Sequence, residues 1–152
     1  MALPNIFDQQ IADGVILRIN KLTPNTQRQW GKMNVSQMMA HCNVPYEMVY
    51  ENKYSEPNAL MVWILTWLVK NTVVSEKPYA KNSKTAPAFL IKGDKDFEVE
   101  KKRLVDYIIR TQQLGENHFN GRKSHSFGQL TITEWNNMFY KHLNHHLNQF
   151  GV

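Results

Sequence analysis

This chain has almost no cysteine. Cys42 is the only one among 152 residues, so an internal disulfide is excluded and a reducing, cytoplasmic setting is expected. Long apolar runs are also missing. The longest, Leu60 to Val69, is about half of what a membrane-spanning helix needs. The opening residues MALPNIFDQQ lack a basic region followed by an apolar run, so no signal peptide is expected. No segment alternates apolar and polar residues for long enough to suggest a strand, and no stretch repeats or falls to low complexity. Little or no sheet is therefore expected. Excess charge of one sign is modest: the net charge is +5, and most cations have an acidic or amide neighbour. That scatter argues against a phosphate-binding stripe and against nucleic acid as a partner.

What remains is a chain with 42% hydrophobic residues, enough for one domain, 1–152, with a sizeable core. Helical patterning dominates. A first helix is expected from about Asn5 to Leu22, stopped by Thr23-Pro24. A second starts at Asn34, with Gln37 in capping-box position, and carries Pro45 inside it. Proline lacks the N–H that would bond the His41 carbonyl, so a kink is expected one turn after His41. A third, PNALMVWILTWLVKNTV, is apolar on nearly every side. It is expected either at the centre of the fold or against a partner subunit, with Trp63 and Trp67 packed in the core or in a dimer interface. The lysine-rich stretch 75–95 reads as an irregular loop of the kind often found at sites. A fourth helix runs from Asp96 to Leu114, ended by Gly115, with Phe97, Leu104, Tyr107 and Ile108 buried. The segment 115–130 is irregular. A last helix opens with the capping box Thr131-x-x-Glu134 and stops at Gly151.

The chemistry gathers in that last helix, in YKHLNHHLNQFG. At about 100° per residue from Trp135, Phe139, Leu143 and Leu147 trace an apolar face, and His142 and His146 fall within it, at about −20° and 20°. His145 lies at its edge, and Asn137 and Asn144 fall on the opposite, wet side. Two imidazoles one turn apart on an apolar face are costly unless they share a partner, and a metal ion supplies one. A divalent site with an open position needs a third protein ligand. The candidates are His41, Cys42, His118, His125 and the carboxylates. His41 is best placed, on a helix and in line with Met38, Pro45 and Met48. Cys42 points about 100° away and reads as a small core residue. His118 and His125 fall in an irregular segment, where His125 would lie above the site.

WGKMNVSQMMAHC, followed about a hundred residues later by SFGQLTITEWNNMFYKHLNHHLNQFG, resembles the DinB/YfiT-like superfamily, and most of all a branch of unknown function. The resemblance covers essentially the whole chain. It implies an all-α, up/down four-helix bundle with long connecting loops, often a homodimer. It also implies a divalent metal, zinc or nickel, held by His41, His142 and His146. Three imidazoles suit zinc, nickel, cobalt or iron by ligand softness. Activities in that superfamily include metal-dependent transfer of low-molecular-weight thiols. The expectation is therefore a divalent-metal-dependent enzyme, thiol S-transferase-like or a hydrolase. The alternative is a non-catalytic helical interaction module with a vestigial or empty metal site. Tyr46, Glu47 and Glu134 are candidate general bases, and Gln149 and His145 candidate groups for orienting the ligands.

Overall fold

The computed structural model describes residues 2–51 and 53–152 and is mostly helical. In chain order the elements are α1 (Gln9–Asn20), α2 (Val35–Tyr50), α3 (Ala59–Leu68), α4 (Lys70–Val74), a 3-10 turn (Pro87–Phe89), α5 (Phe97–Phe119), β1 (Lys123–Ser124), β2 (Gly128–Gln129) and α6 (Ile132–Gln149). None is long and apolar enough to cross a membrane.

The helix starts are where side chains can satisfy the free N–H groups of a first turn. Asp8 accepts from Gln10 and Ile11. Asn34 and Gln37 form a reciprocal capping box on α2, as do Thr131 and Glu134 on α6. Asp96 accepts from the Val99 N–H at 2.9 Å to open α5. Helices α1, α2, α5 and α6 pack against one another, α2 most extensively along α5. Between them lies a core rich in aromatic residues. Tyr46 stacks on Phe139 at 4.7 Å and on Tyr107 at 5.6 Å, and Trp135, Phe119 and Phe139 form a further ring cluster. Phe97, Leu104, Tyr107 and Ile108 are buried on α5, as its periodicity requires.

The structure departs from sequence expectation in four places. Helix α3 is not central. None of its residues is buried, and Trp63 and Trp67 are 64% and 77% exposed. Its apolar composition allowed two places, the centre of the fold or a partner subunit, and the centre is filled by other helices. Helix α6 is covered almost all round instead. Asn137 is buried, and its amide donates to the Val74 carbonyl at 2.8 Å. The wheel set it on a wet side because the wheel does not know that α4 packs there. Lys141 is buried on the same side, with its ammonium on the carbonyls of Thr72, Ser75 and Lys77. Asn144, also assigned to that side, is half-buried and accepts from Arg18 at 2.8 Å. Gly115 does break α5, at φ 70° and ψ 176°, but the chain resumes helical form to Phe119. Finally, Lys123–Ser124 pairs antiparallel with Gly128–Gln129 in a short hairpin, within a segment expected to be irregular.

Candidate metal centre

Three helical imidazoles meet where α2 passes α6. His41 comes from α2, and His142 and His146 from successive turns of α6. One nitrogen from each lies within 4.8 Å of the others. The ring centroids are 4.9 Å apart for His41–His142, 4.5 Å for His41–His146 and 4.8 Å for His142–His146. His41 and His146 are 5% and 7% exposed.

Two of the rings are held by oxygen acceptors on their far sides. His41 Nδ1 faces the Phe89 carbonyl at 2.9 Å. His146 Nδ1 faces Gln149 Oε1 at 2.8 Å. Each contact places the proton on Nδ1 and leaves the Nε2 lone pair directed away from that acceptor, the arrangement that presents an imidazole as a ligand. Gln149 is itself fixed, because its Nε2 donates to the Trp30 carbonyl at 2.8 Å. The main chain is joined at the same place by a Gln29 N–H to Gln149 carbonyl bond of 2.8 Å. Gly31 lets the turn approach this closely. Its φ is +85°, and a Cβ there would lie 2.3 Å from Gln149 Nε2.

Burial keeps all three imidazoles neutral. His142 is held well below the usual histidine range by burial and then by the neighbouring His146 and His41. His146 is pushed down to about 3 by burial and then by His41, against the raising effect of its Gln149 bond. His41 is lowered by burial, partly offset by the Phe89 carbonyl. Neutral imidazole is the form that ligates metal. Two nitrogens on one tetrahedral ion lie about 3.3 Å apart, given bonds of about 2.0–2.1 Å. The His41 and His142 Nε2 atoms are 2.9 Å apart, so a small ring rotation makes room. The donor set, its charge state and its outer hydrogen bonds all fit a divalent cation.

The long loop after α4 covers this cluster. Phe89 packs edge-on against His41 and His142, and Tyr79 against His142 and His145. The expectation that this loop belongs to a site thus has a physical basis, carried by Phe89 and Tyr79. His145 is half-buried and adjoins His146 at 5.0 Å between ring centroids, but it is not one of the three converging imidazoles.

The other candidates lie elsewhere. Cys42 is buried, its thiol donates to Met38 Sδ at 3.7 Å, and burial pushes its pKa far up, as suits a core residue. His118 bonds Arg122. His125 sits in the hairpin beside Ser126 and Tyr54 and not above the cluster, because the β1–β2 turn carries it away. None of the proposed general bases bonds a histidine of the cluster. Glu47 is buried with Arg103, Lys53 and Tyr54. Burial alone would raise its pKa, but the bonds from Tyr54, Arg103 and Lys53 bring it below the ordinary value. Glu134 caps α6 and pairs with Lys70 at 2.7 Å, and the Tyr46 hydroxyl is buried between stacked rings without a partner among the described residues. Two positions that sequence reasoning missed are Phe89 and Gly31. Their contributions are a backbone carbonyl and a close approach, which leave no trace in side-chain patterning.

Fold and site together define a helical protein built around three converging neutral imidazoles. The chain belongs to the family described as "Protein of unknown function (DUF1569)", whose model matches residues 7–151. No curated protein and no solved structure gives a significant match.

Proposed function

We propose that this chain is a DinB-like four-helix bundle of α1, α2, α5 and α6 that holds one divalent ion, zinc or nickel, with His41, His142 and His146. We propose further that it works as a metal-dependent enzyme on a small molecule, as a thiol S-transferase-like protein or a hydrolase, with a low-molecular-weight thiol as candidate co-substrate. The observation that carries the reading is the convergence of three neutral imidazoles, two of them held by oxygen acceptors on the far nitrogen. A bound ion of this kind supplies Lewis acidity, lowering the pKa of a thiol or water brought beside it. The chain's own residues do the rest. Phe89 and Gln149 hold the rings in place, Tyr79 and Phe89 shield them from solvent, and His145 offers a ring nitrogen at the edge for proton exchange. The exposed Trp63 and Trp67 of α3 support a homodimer.

One distance favours a second reading. The His41–His142 separation of 2.9 Å is also that of a direct N–H···N hydrogen bond. On that reading the cluster is a self-satisfied polar core in a non-catalytic interaction module. Metal content separates the two. Untagged protein purified without chelators is expected to carry about one ion per chain, lost in a His142→Ala/His146→Ala variant. If the wild type holds no ion even after incubation with zinc or nickel, the metal reading fails and the polar core stands.

A further inference from the structure

A cleft of about 530 Å³ opens beside His145, one ring away from the three histidines, between the turn after α1, the start of the long loop and the end of α6. That volume is in the range of small-molecule sites. Trp30 and Tyr79 supply aromatic walls, Gln29 and Asn148 supply amides, and Lys81 and His145 supply nitrogen groups. We propose that this cleft is the substrate site of the centre and that it takes a small organic anion with a flat apolar body. This rests on the metal reading for its placement.

Three observations support the assignment. First, no carboxylate side chain lines the cleft among the described residues, whereas a lysine does. Val152 lies at the rim, and its main-chain oxygen is engaged by Arg18 at 2.6 Å. The Lys81 ammonium forms no ion pair among the described residues and lies over the Trp30 ring, 4.2 Å from its centroid. An aromatic face and a cation at one spot select a ligand that is flat at one end and negative at the other. Second, His145 links cleft and centre. Its ring makes edge contacts with Trp30 at 6.0 Å and Tyr79 at 5.6 Å on one side, and with His146 at 5.0 Å on the other. A ligand lying on Trp30 therefore has its charged end near Lys81 and its body one ring away from the histidine cluster. Third, the cleft wall and the ligand set share a support. Gln149 bonds both the Trp30 carbonyl and His146, so the turn carrying Trp30 and the ring of His146 are held by one side chain.

The test titrates naphthalene-2-sulfonate, and separately its neutral counterpart naphthalene-2-sulfonamide, into the full chain. Binding is followed by amide and indole nitrogen–proton NMR. The sulfonate is expected to shift the Trp30 indole and the Tyr79, Lys81 and Asn148 amides. The sulfonamide should bind about tenfold more weakly, and Lys81→Glu should weaken the sulfonate about tenfold. Lys81 is exposed, so that variant is expected to fold, and Lys81→Gln gives an intermediate check. Equal binding of both probes, shifts centred on Trp63 and Trp67 of α3, or no saturable shift would each overturn the proposal. Metal content measured on the same samples separates the two failures. A chain that retains its ion but ignores the sulfonate overturns the cleft alone. A chain that binds the sulfonate but holds no added zinc or nickel overturns the metal reading, and with it the role of the cleft as that centre's substrate site.

Discussion

Gly31→Ala is expected to damage the histidine cluster without touching a histidine. Alanine at φ +85° is strained by about 1–2 kcal/mol. Its Cβ would also stand 2.3 Å from Gln149 Nε2, far inside contact distance. A flexible side-chain end could step aside at little cost, but Gln149 is only 4% exposed and is bonded at both ends of its amide, to Trp30 and to His146. Moving it breaks both bonds, each contributing about 1 kcal/mol. Alanine recovers about 0.4–1 kcal/mol by stiffening the unfolded chain. The net loss is about 2–3.5 kcal/mol, or about 4–14 °C in Tm for a domain of this size.

Metal affinity carries the sharper signature. Losing a hydrogen bond that orients a ligating imidazole typically costs about 10–100-fold in affinity. Gly31→Ala should therefore show that loss in a competition titration with a chromogenic zinc chelator. Gln149→Ala should lose affinity to the same degree without the backbone strain. In the double variant the clash no longer exists, so the two affinity losses should not add. If Gly31→Ala lowers Tm but binds zinc as tightly as the wild type, Gln149 does not orient His146 and the reasoning fails. Fully additive losses in the double variant would be equally damaging.

Four further outcomes follow from the same geometry. In the ion-free chain the three imidazoles titrate below the ordinary value of about 6.5, His146 at about 3, so the unfolded chain binds protons that the folded chain refuses. Stability is then full above pH 6.5 and falls as pH drops below it, at up to about 1.36 kcal/mol per unit from His146, with His41 and His142 adding in the same direction; urea midpoints that do not move between pH 7.5 and 5 would contradict this. His145→Ala should leave metal content near normal, because its ring is outside the converging set, and elemental analysis showing substantial loss would make it a ligand. Glu47→Gln weakens a buried network with Arg103, Lys53 and Tyr54 and should lower stability by about 1–3 kcal/mol with metal content intact; loss of metal without loss of stability would return Glu47 to the site. Trp63→Asp/Trp67→Asp should convert a dimer to a monomer in sedimentation velocity while changing monomer stability by less than about 0.5 kcal/mol, and an unchanged sedimentation coefficient would remove the dimer reading.

The parts of this fold that were legible in the sequence are those governed by local rules. The capping boxes at Asn34 and Thr131, the buried stripe of α5 and the break at Gly115 depend on residues within a few positions of one another, and each stands where those rules put it. The inward direction of His142 and His146 was legible for the same reason, since helical rotation alone brings both onto the face of Phe139 and Leu143. Long-range placement was not. Composition left α3 either central or against a partner, and whether an apolar helix takes the centre depends on which other helices reach it first. Local rotation made Asn137 wet, yet α4 arrives from more than sixty residues earlier in the chain and offers the Val74 carbonyl that satisfies it. The same limit bears on the site itself. Three histidines can be chosen from a sequence, but what makes these three a candidate ligand set is the Phe89 carbonyl, the Gln149 amide and the missing side chain of Gly31. Two of those three contributions are made by the backbone, and all of them depend on chain segments brought together from far apart. A search for related centres should therefore look for paired helical histidines whose outer nitrogens meet fixed oxygens, because that condition separates a ligand set from a merely buried cluster.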